Sequence, residues 1–321
     1  MNKFINKHPY LLITLTIIVA CIVFKVSFGW WLLIMLAYGL ILYVTHLGTA
    51  VGWTGYLLDG FLKQPKFTHA LYRFAINHNT KCVHAMLAYG LDLLRDGVYE
   101  PALDIFQRIV AMKNVQPMLL KYAEQDLGIA YWKCGQLDKA LETLEMMVAK
   151  YEYFSPDFNT TLGYFYILAG DYEKAMDFTE KALIESETHG PAYDNLGQMA
   201  YRQGNYEEAE KQFLKALDLK DTMVDSKFHL GLIYESWGDL ESAAEYFLAA
   251  HQCKITGMNT VSREEVDAKY NEYWGDGATP LTSNTDEEYD SDDTDNIETE
   301  ELSELKAYAD EDTDDIETED R

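Results

Sequence analysis

Between residues 83 and 258 the apolar positions fall at helical spacing, and one arrangement of large, small and polar residues keeps returning. "LGYFYILAGDYEKAMDFTEKAL" begins at Leu162, "LGQMAYRQGNYEEAEKQFLKAL" at Leu196 and "LGLIYESWGDLESAAEYFLAA" at Leu230, each 34 residues after the one before. "LGIAYWKCGQLDKALETLEMMV" begins at Leu127, 35 residues upstream of Leu162, and a weaker copy, "YGLDLLRDGVYEPALDIFQRIV", begins at Tyr89. A period of this length predicts stacked copies of one supersecondary unit. Each copy reads as two helices parted by a glycine (Gly97, Gly135, Gly170, Gly204, Gly238) able to take the left-handed conformation past a helix end. Small residues predict where the paired helices cross closely: Gly90, Gly128, Gly163, Gly197 and Gly231 on the first, Ala102, Ala140, Ala175, Ala209 and Ala243 on the second. Pro101 falls in the first turn of its helix, where a missing N–H is tolerated.

The spacing Leu-Gly, Tyr, Gly, Ala, Phe, Ala resembles the tetratricopeptide repeat. The last copy carries it as Leu230, Gly231, Tyr234, Gly238, Ala243, Phe247 and Ala250. The copy before it has Ala200 where tyrosine is usual, the third has Thr179 for phenylalanine, and the second has Leu144 and Met147. The resemblance implies an all-α solenoid of about five helix pairs, non-enzymatic, that binds a protein or peptide on a groove lined by the first helix of each pair. Carried onto this chain, the groove positions are Tyr122, Gln125, Ile129, Trp132, Thr160, Tyr164, Ile167, Asp194, Gln198, Tyr201, Phe228, Leu232 and Glu235. The Lys/Asn clamp that chaperone-binding members use for a C-terminal carboxylate is absent, which argues against that class of ligand.

Solenoids need closed ends. "FTHALYRFAINH" from Phe67 repeats an Ala-x-x-x-Phe spacing at Ala70 and Phe74, which predicts a capping helix within residues 61–82. At the other end Ser262 and Glu265 read as a capping box, and Val261 with Val266 as a hydrophobic staple, for a cap spanning residues 259–276.

The remaining pattern changes sharply at both ends. "HPYLLITLTIIVACIVF" holds no charge from His8 to Phe24, and a second apolar run follows Lys25. A bilayer core takes about 20 apolar residues as helix. Residues 1–60 therefore predict a membrane anchor of two helices, about 9–27 and 29–50, with the lipid bilayer as partner. Trp30, Trp31, Trp53 and Tyr56 would lie at the interfaces, and Gly48 with Gly52 would let helices approach. Lys3, Lys7, Lys63, Lys66 and Arg73 flank the runs, which places the solenoid on the cytoplasmic side of a bacterial plasma or inner membrane. "IVAC" at Cys21 also matches a lipoprotein cleavage box, but an apolar continuation opposes it.

Charge is concentrated in the tail. The chain carries a net charge of -27, and residues 281–321 hold 19 Asp and Glu against Lys306 and Arg321. Residues 277–321 read as an acidic disordered tail. They offer a site for a basic partner, and through Ile297, Leu302, Leu305, Tyr308 and Ile316 a candidate occupant of the groove. Such acidity opposes nucleic-acid binding. Candidate chemistry is thin. His78, Cys82 and His84 lack a completing ligand set, Asp290, Asp292, Thr294 and Glu301 lack the glycine of a calcium loop, and no phosphate loop or nucleophile elbow occurs. No cofactor, metal or catalytic residue is expected. The sequence reads as a membrane-anchored interaction scaffold. The alternative is an accessory subunit of a membrane transport or envelope-enzyme complex whose membrane hairpin is the working part.

Overall fold

Glycines punctuate the fold. Gly97, Gly135, Gly170, Gly204 and Gly238 all have φ between 73 and 79°. Each ends the first helix of a pair in the left-handed region, which a Cβ would disfavour. In the last three pairs an Asp or Asn follows, and its side chain accepts the N–H that opens the second helix: Asp171 from Lys174, Asn205 from Glu208 and Asp239 from Ser242. Two adjacent residues therefore stop one helix and start the next.

The computed structural model describes residue 18 and residues 27–62, 65–78, 80–152 and 154–275, with fourteen helices among them. They are α1 (Phe28–Thr45), α2 (Leu47–Leu62), α3 (Pro65–Asn77), α4 (Val83–Arg95), α5 (Tyr99–Val110), α6 (Pro117–Lys133) and α7 (Leu137–Lys150). The chain continues through α8 (Pro156–Ala169), α9 (Tyr172–Glu185), α10 (Gly190–Arg202), α11 (Tyr206–Leu219), α12 (Val224–Trp237), α13 (Leu240–His251) and α14 (Arg263–Trp274). The described residues up to Tyr273 form one unit. Helices α4 to α13 make five antiparallel pairs, and first helices also pack on one another at α4–α6, α8–α10 and α10–α12, while Trp132 of α6 meets Tyr164 and Phe165 of α8. The first helices thus line the inner side of the array and the second helices its outer side.

Each pair has the same core. A Cβ built on Gly90 would lie 2.6 Å from the ring of Phe106; on Gly128, 2.7 Å from Leu144; on Gly197 and Gly231, 2.6 Å from Phe213 and Phe247. The large residue of the second helix lies flat on bare backbone of the first. Ala102, Ala140, Ala175, Ala209 and Ala243 are all fully buried at the same crossings. The third pair substitutes Thr179, whose hydroxyl donates to the Ala175 carbonyl at 2.7 Å. Asn195 of the next pair fills the space, its amide donating to the Thr160 carbonyl at 2.8 Å.

The array is closed at each end. Ser262 and Glu265 exchange hydrogen bonds at the start of α14, at 2.8 and 3.2 Å, while Val261 and Val266 join the core of the last pair. At the N-terminal end α2 and α3 pack as a further pair against α4. The register of α3 differs from the expected one. Its buried residues are Thr68, Tyr72 and Ala75, whereas Ala70 and Phe74 face outward. The apolar stripe set by contact with α2 overrides the Ala-x-x-x-Phe spacing.

The expected membrane anchor is corrected here. The second apolar run, about residues 29–50, is not one helix: it divides at His46 into α1 and α2. The 18 residues of α1 span about 27 Å at 1.5 Å per residue. Among the described residues no helix is long and apolar enough to cross a membrane. The glycines assigned to membrane contacts serve the array instead. A Cβ on Gly48 would lie 2.3 Å from the His78 carbonyl oxygen, and one on Gly52 would press on Thr80 and Cys82. Trp53 and Tyr56, expected at an interface, hold the ring of His84 at 5.2 and 4.6 Å. The multi-pass assignment and the topology drawn from it therefore fall. The first apolar run, the Cys21 box and the acidic tail lie outside the described residues.

Candidate functional site

The thirteen expected groove positions all fall on first helices, but the packing of those helices divides them. Ile129, Thr160, Ile167, Asp194, Gln198 and Phe228 are buried between repeats. Asp194 accepts the hydroxyl of Ser226 across the α10–α12 contact, and the Gln198 amide lies 3.3 Å from Nδ1 of His229. Thr160 donates back to the Pro156 and Asp157 carbonyls of its own helix. Phe228 meets Phe247 edge-on, with ring centroids 5.7 Å apart, inside the last core. Of these six, Asp194 and Gln198 tie neighbouring repeats together. Tyr122, Gln125, Trp132, Tyr164, Tyr201, Leu232 and Glu235 are half-buried and border the inner face. Trp132 and Tyr164 meet edge to face at 5.5 Å, joining the second and third repeats. Glu235 is covered by α14, which brings Lys269 and the Tyr273 hydroxyl to 2.8 Å from it. Leu232 packs against the same terminal core.

The inner face already holds a segment of this chain. Between α13 and α14, residues Lys254–Val261 cross from the fifth repeat to the first. A turn closed by the Asn259 N–H on the Thr256 carbonyl, at 3.2 Å, shapes the segment. At its tip the Gly257 N–H donates to the Arg95 carbonyl at 2.6 Å, and the Gly257 carbonyl accepts the Tyr99 hydroxyl at 3.1 Å. Lys133 donates its ammonium to the Asn259 carbonyl. Asp225, in the first turn of α12, gathers the rest. One carboxylate oxygen accepts the N–H groups of Thr260 and Val261, both at 2.8 Å, and the Thr260 hydroxyl; the other accepts the Asn259 amide at 3.1 Å.

The charges near this segment are perturbed. Burial first, then the nearby charge of Asp225, pushes Asp194 up to about 7 against the opposing hydrogen bonds of Ser226 and Gln198. Burial brings Lys133 down to about 8, with Asp225 acting the other way. Tyr164 is pushed up to about 12, mainly by burial. The imidazole of His229 is held neutral to lower pH, again by burial. Such groups suit the capture of a polypeptide: aromatic faces for side chains, an ammonium and a phenol for carbonyls, a carboxylate for N–H and hydroxyl donors. The sequence missed Tyr99, Lys133 and Asp225, because they lie at helix ends rather than on the groove-facing spacing. The His78, Cys82, His84 group is dispersed, with His78 stacked on Phe74 and His84 between aromatic rings. No group of three or more His, Cys, Asp or Glu among the described residues could hold a metal ion.

Comparison with known families covers the array from the second pair onward. Residues 126–189, 190–222 and 224–250 each match the Tetratricopeptide repeat. These segments are tetratricopeptide repeats. The pair α4–α5, outside the matched residues, shares the repeat's Gly90–Phe106 packing and left-handed Gly97. Among solved structures, TTC0263, a thermophilic TPR protein in Thermus thermophilus, is 20% identical with a TM-score of 0.50, covering 60% of this chain and 98% of its own. That likeness carries the repeat fold. MamA is 22% identical over 56% of this chain and 97% of its own, with a TM-score of 0.38. YrrB, a TPR protein with an unusual peptide-binding site, is 17% identical over 62% of this chain and 97% of its own, with a TM-score of 0.36. No curated protein matches the chain by sequence.

Proposed function

We propose that the repeat array is a protein-interaction scaffold and that its inner face, bordered by Tyr122, Gln125, Trp132, Tyr164 and Tyr201, receives a protein or peptide partner. The observation that carries this reading is the seating of Lys254–Val261: the face holds a polypeptide through backbone carbonyls and N–H groups as well as side chains. No catalytic role is assigned to any residue. The acidic segment 277–321 adds a site for a basic partner, whose binding would weaken as salt rises.

A photo-crosslinking residue placed at Gln125 or Tyr201 should capture one discrete partner in intact cells. The same residue at the outer-face positions Met176 or Leu214, both exposed, should not. Capture from the outer positions alone would move the binding surface to the second helices and overturn the reading.

A further inference from the structure

Lys254–Val261 fills the inner face without being built like a core element. Of its eight residues only Val261 is buried; Lys254 is exposed and the six between are half-buried. Val261 belongs to the terminal core with Val266, and Ile255 packs against that core, so the apolar contacts lie at the two ends of the segment; the tip between them, Thr256–Thr260, is held by polar contacts. Segments with few buried apolar contacts open locally at lower free energy than the helices beneath them. Both flanks are anchored independently, on α13 and on the capped start of α14, so the segment can leave the face while the array stays intact.

The contacts also have a readable chemistry. At the tip only glycine fits: a Cβ on residue 257 would lie 2.1 Å from the Leu94 carbonyl oxygen and 2.7 Å from the Gly97 nitrogen. Two carbonyls meet donors, from Tyr99 and Lys133. Two N–H groups, one hydroxyl and one amide meet a single carboxylate, Asp225. The donors and acceptors read a short turn of defined sequence rather than a bare apolar surface.

We propose that Lys254–Val261 is a displaceable plug, and that the ligand replacing it is a peptide presenting a turn of the Thr-Gly-x-Asn-Thr kind, read through Asp225, Lys133 and Tyr99. The proposal deepens the scaffold reading and rests on it for the existence of an outside partner. Gly257→Ala drives one methyl group into the backbone of Leu94 and Gly97 and should thereby expel the plug. The full chain carrying Gly257→Ala should bind a synthetic peptide of residues 254–262 at least tenfold more tightly than the unsubstituted chain does. The peptide carrying the same Gly257→Ala change should not bind. In the unsubstituted protein, hydrogen exchange at Gly257 and Thr260 should proceed by an opening that leaves α8 and α10 protected. Exchange of these amides only together with α8 and α10 would overturn the proposal, and needs no variant to fold. So would a folded Gly257→Ala chain that ignores the native peptide. Peptide binding without any inner-face crosslink in cells would uphold the plug and sink the outside partner, so the two readings fail separately.

Discussion

Asp194 is a carboxyl group almost withdrawn from water, held between α10 and α12 by the Ser226 hydroxyl. Its folded-state value of about 7 lies above the ordinary 3.8, so the folded protein binds this proton more tightly than the unfolded chain. The stabilisation is fully present below about pH 4 and is lost as pH rises through about 7. His189 and His229 are both lowered by burial, so they act oppositely, stabilising more as pH rises toward the ordinary histidine range. A raw pH profile therefore mixes the two signs, and the informative quantity is a difference. Asp194→Asn should gain stability relative to the unsubstituted protein as pH rises from 4 to about 7.5, read as a rising difference in urea midpoints at constant slope. A difference that stays flat over that range would show that Asp194 ionises as freely folded as unfolded. Lys133 extends the argument to alkaline pH. Lowered to about 8, it penalises the fold while charged, and that penalty is relieved between about pH 8 and 10.5.

Each helix pair depends on a crossing that has no spare volume. Ala175 and Ala209 are fully buried there, and the Cβ position of Gly163 is 3.3 Å from the Ala175 carbonyl. Replacing either alanine by leucine should overpack the crossing and destabilise by about 1–3 kcal/mol, measured by denaturation. An unmoved midpoint would mean that the helices part without loss. This level of the structure was legible in the sequence, because each repeat restates the same glycine, alanine and aromatic positions. The inner face was only half legible. Spacing marks Asp194, Gln198 and Thr160 as one face of their helices, but does not tell that neighbouring helices bury them. Ala70 and Phe74 misled for a related reason: α3 takes its buried face from α2, which has no repeat pattern to read. The apolar run after Lys25 misled because length and hydropathy do not reveal the break at His46 or the array contacts of Gly48 and Gly52.

Across the whole molecule, the least legible feature is the segment between α13 and α14. It has no counterpart in the other repeats, and its partners lie far away in sequence; Tyr99 and Gly257 are 158 residues apart. A stacked array ordinarily passes a disturbance only from neighbour to neighbour, so each interface attenuates it. Here the segment that follows the fifth repeat reaches the first directly, through Gly257. The array is therefore a circuit rather than a line, and damage has a short route from one repeat to the other. Phe247→Ala, which empties the last core, should speed hydrogen exchange around Arg95 and Gly97 more than in the intervening α8. Adding Gly257→Ala should cut the circuit, so that the effect of Phe247→Ala on the first repeat is no longer additive with it. Additive effects in that double substitution would show the two repeats to be thermodynamically independent. If they are coupled, whatever occupies the inner face also sets how far the two ends of the solenoid respond to each other.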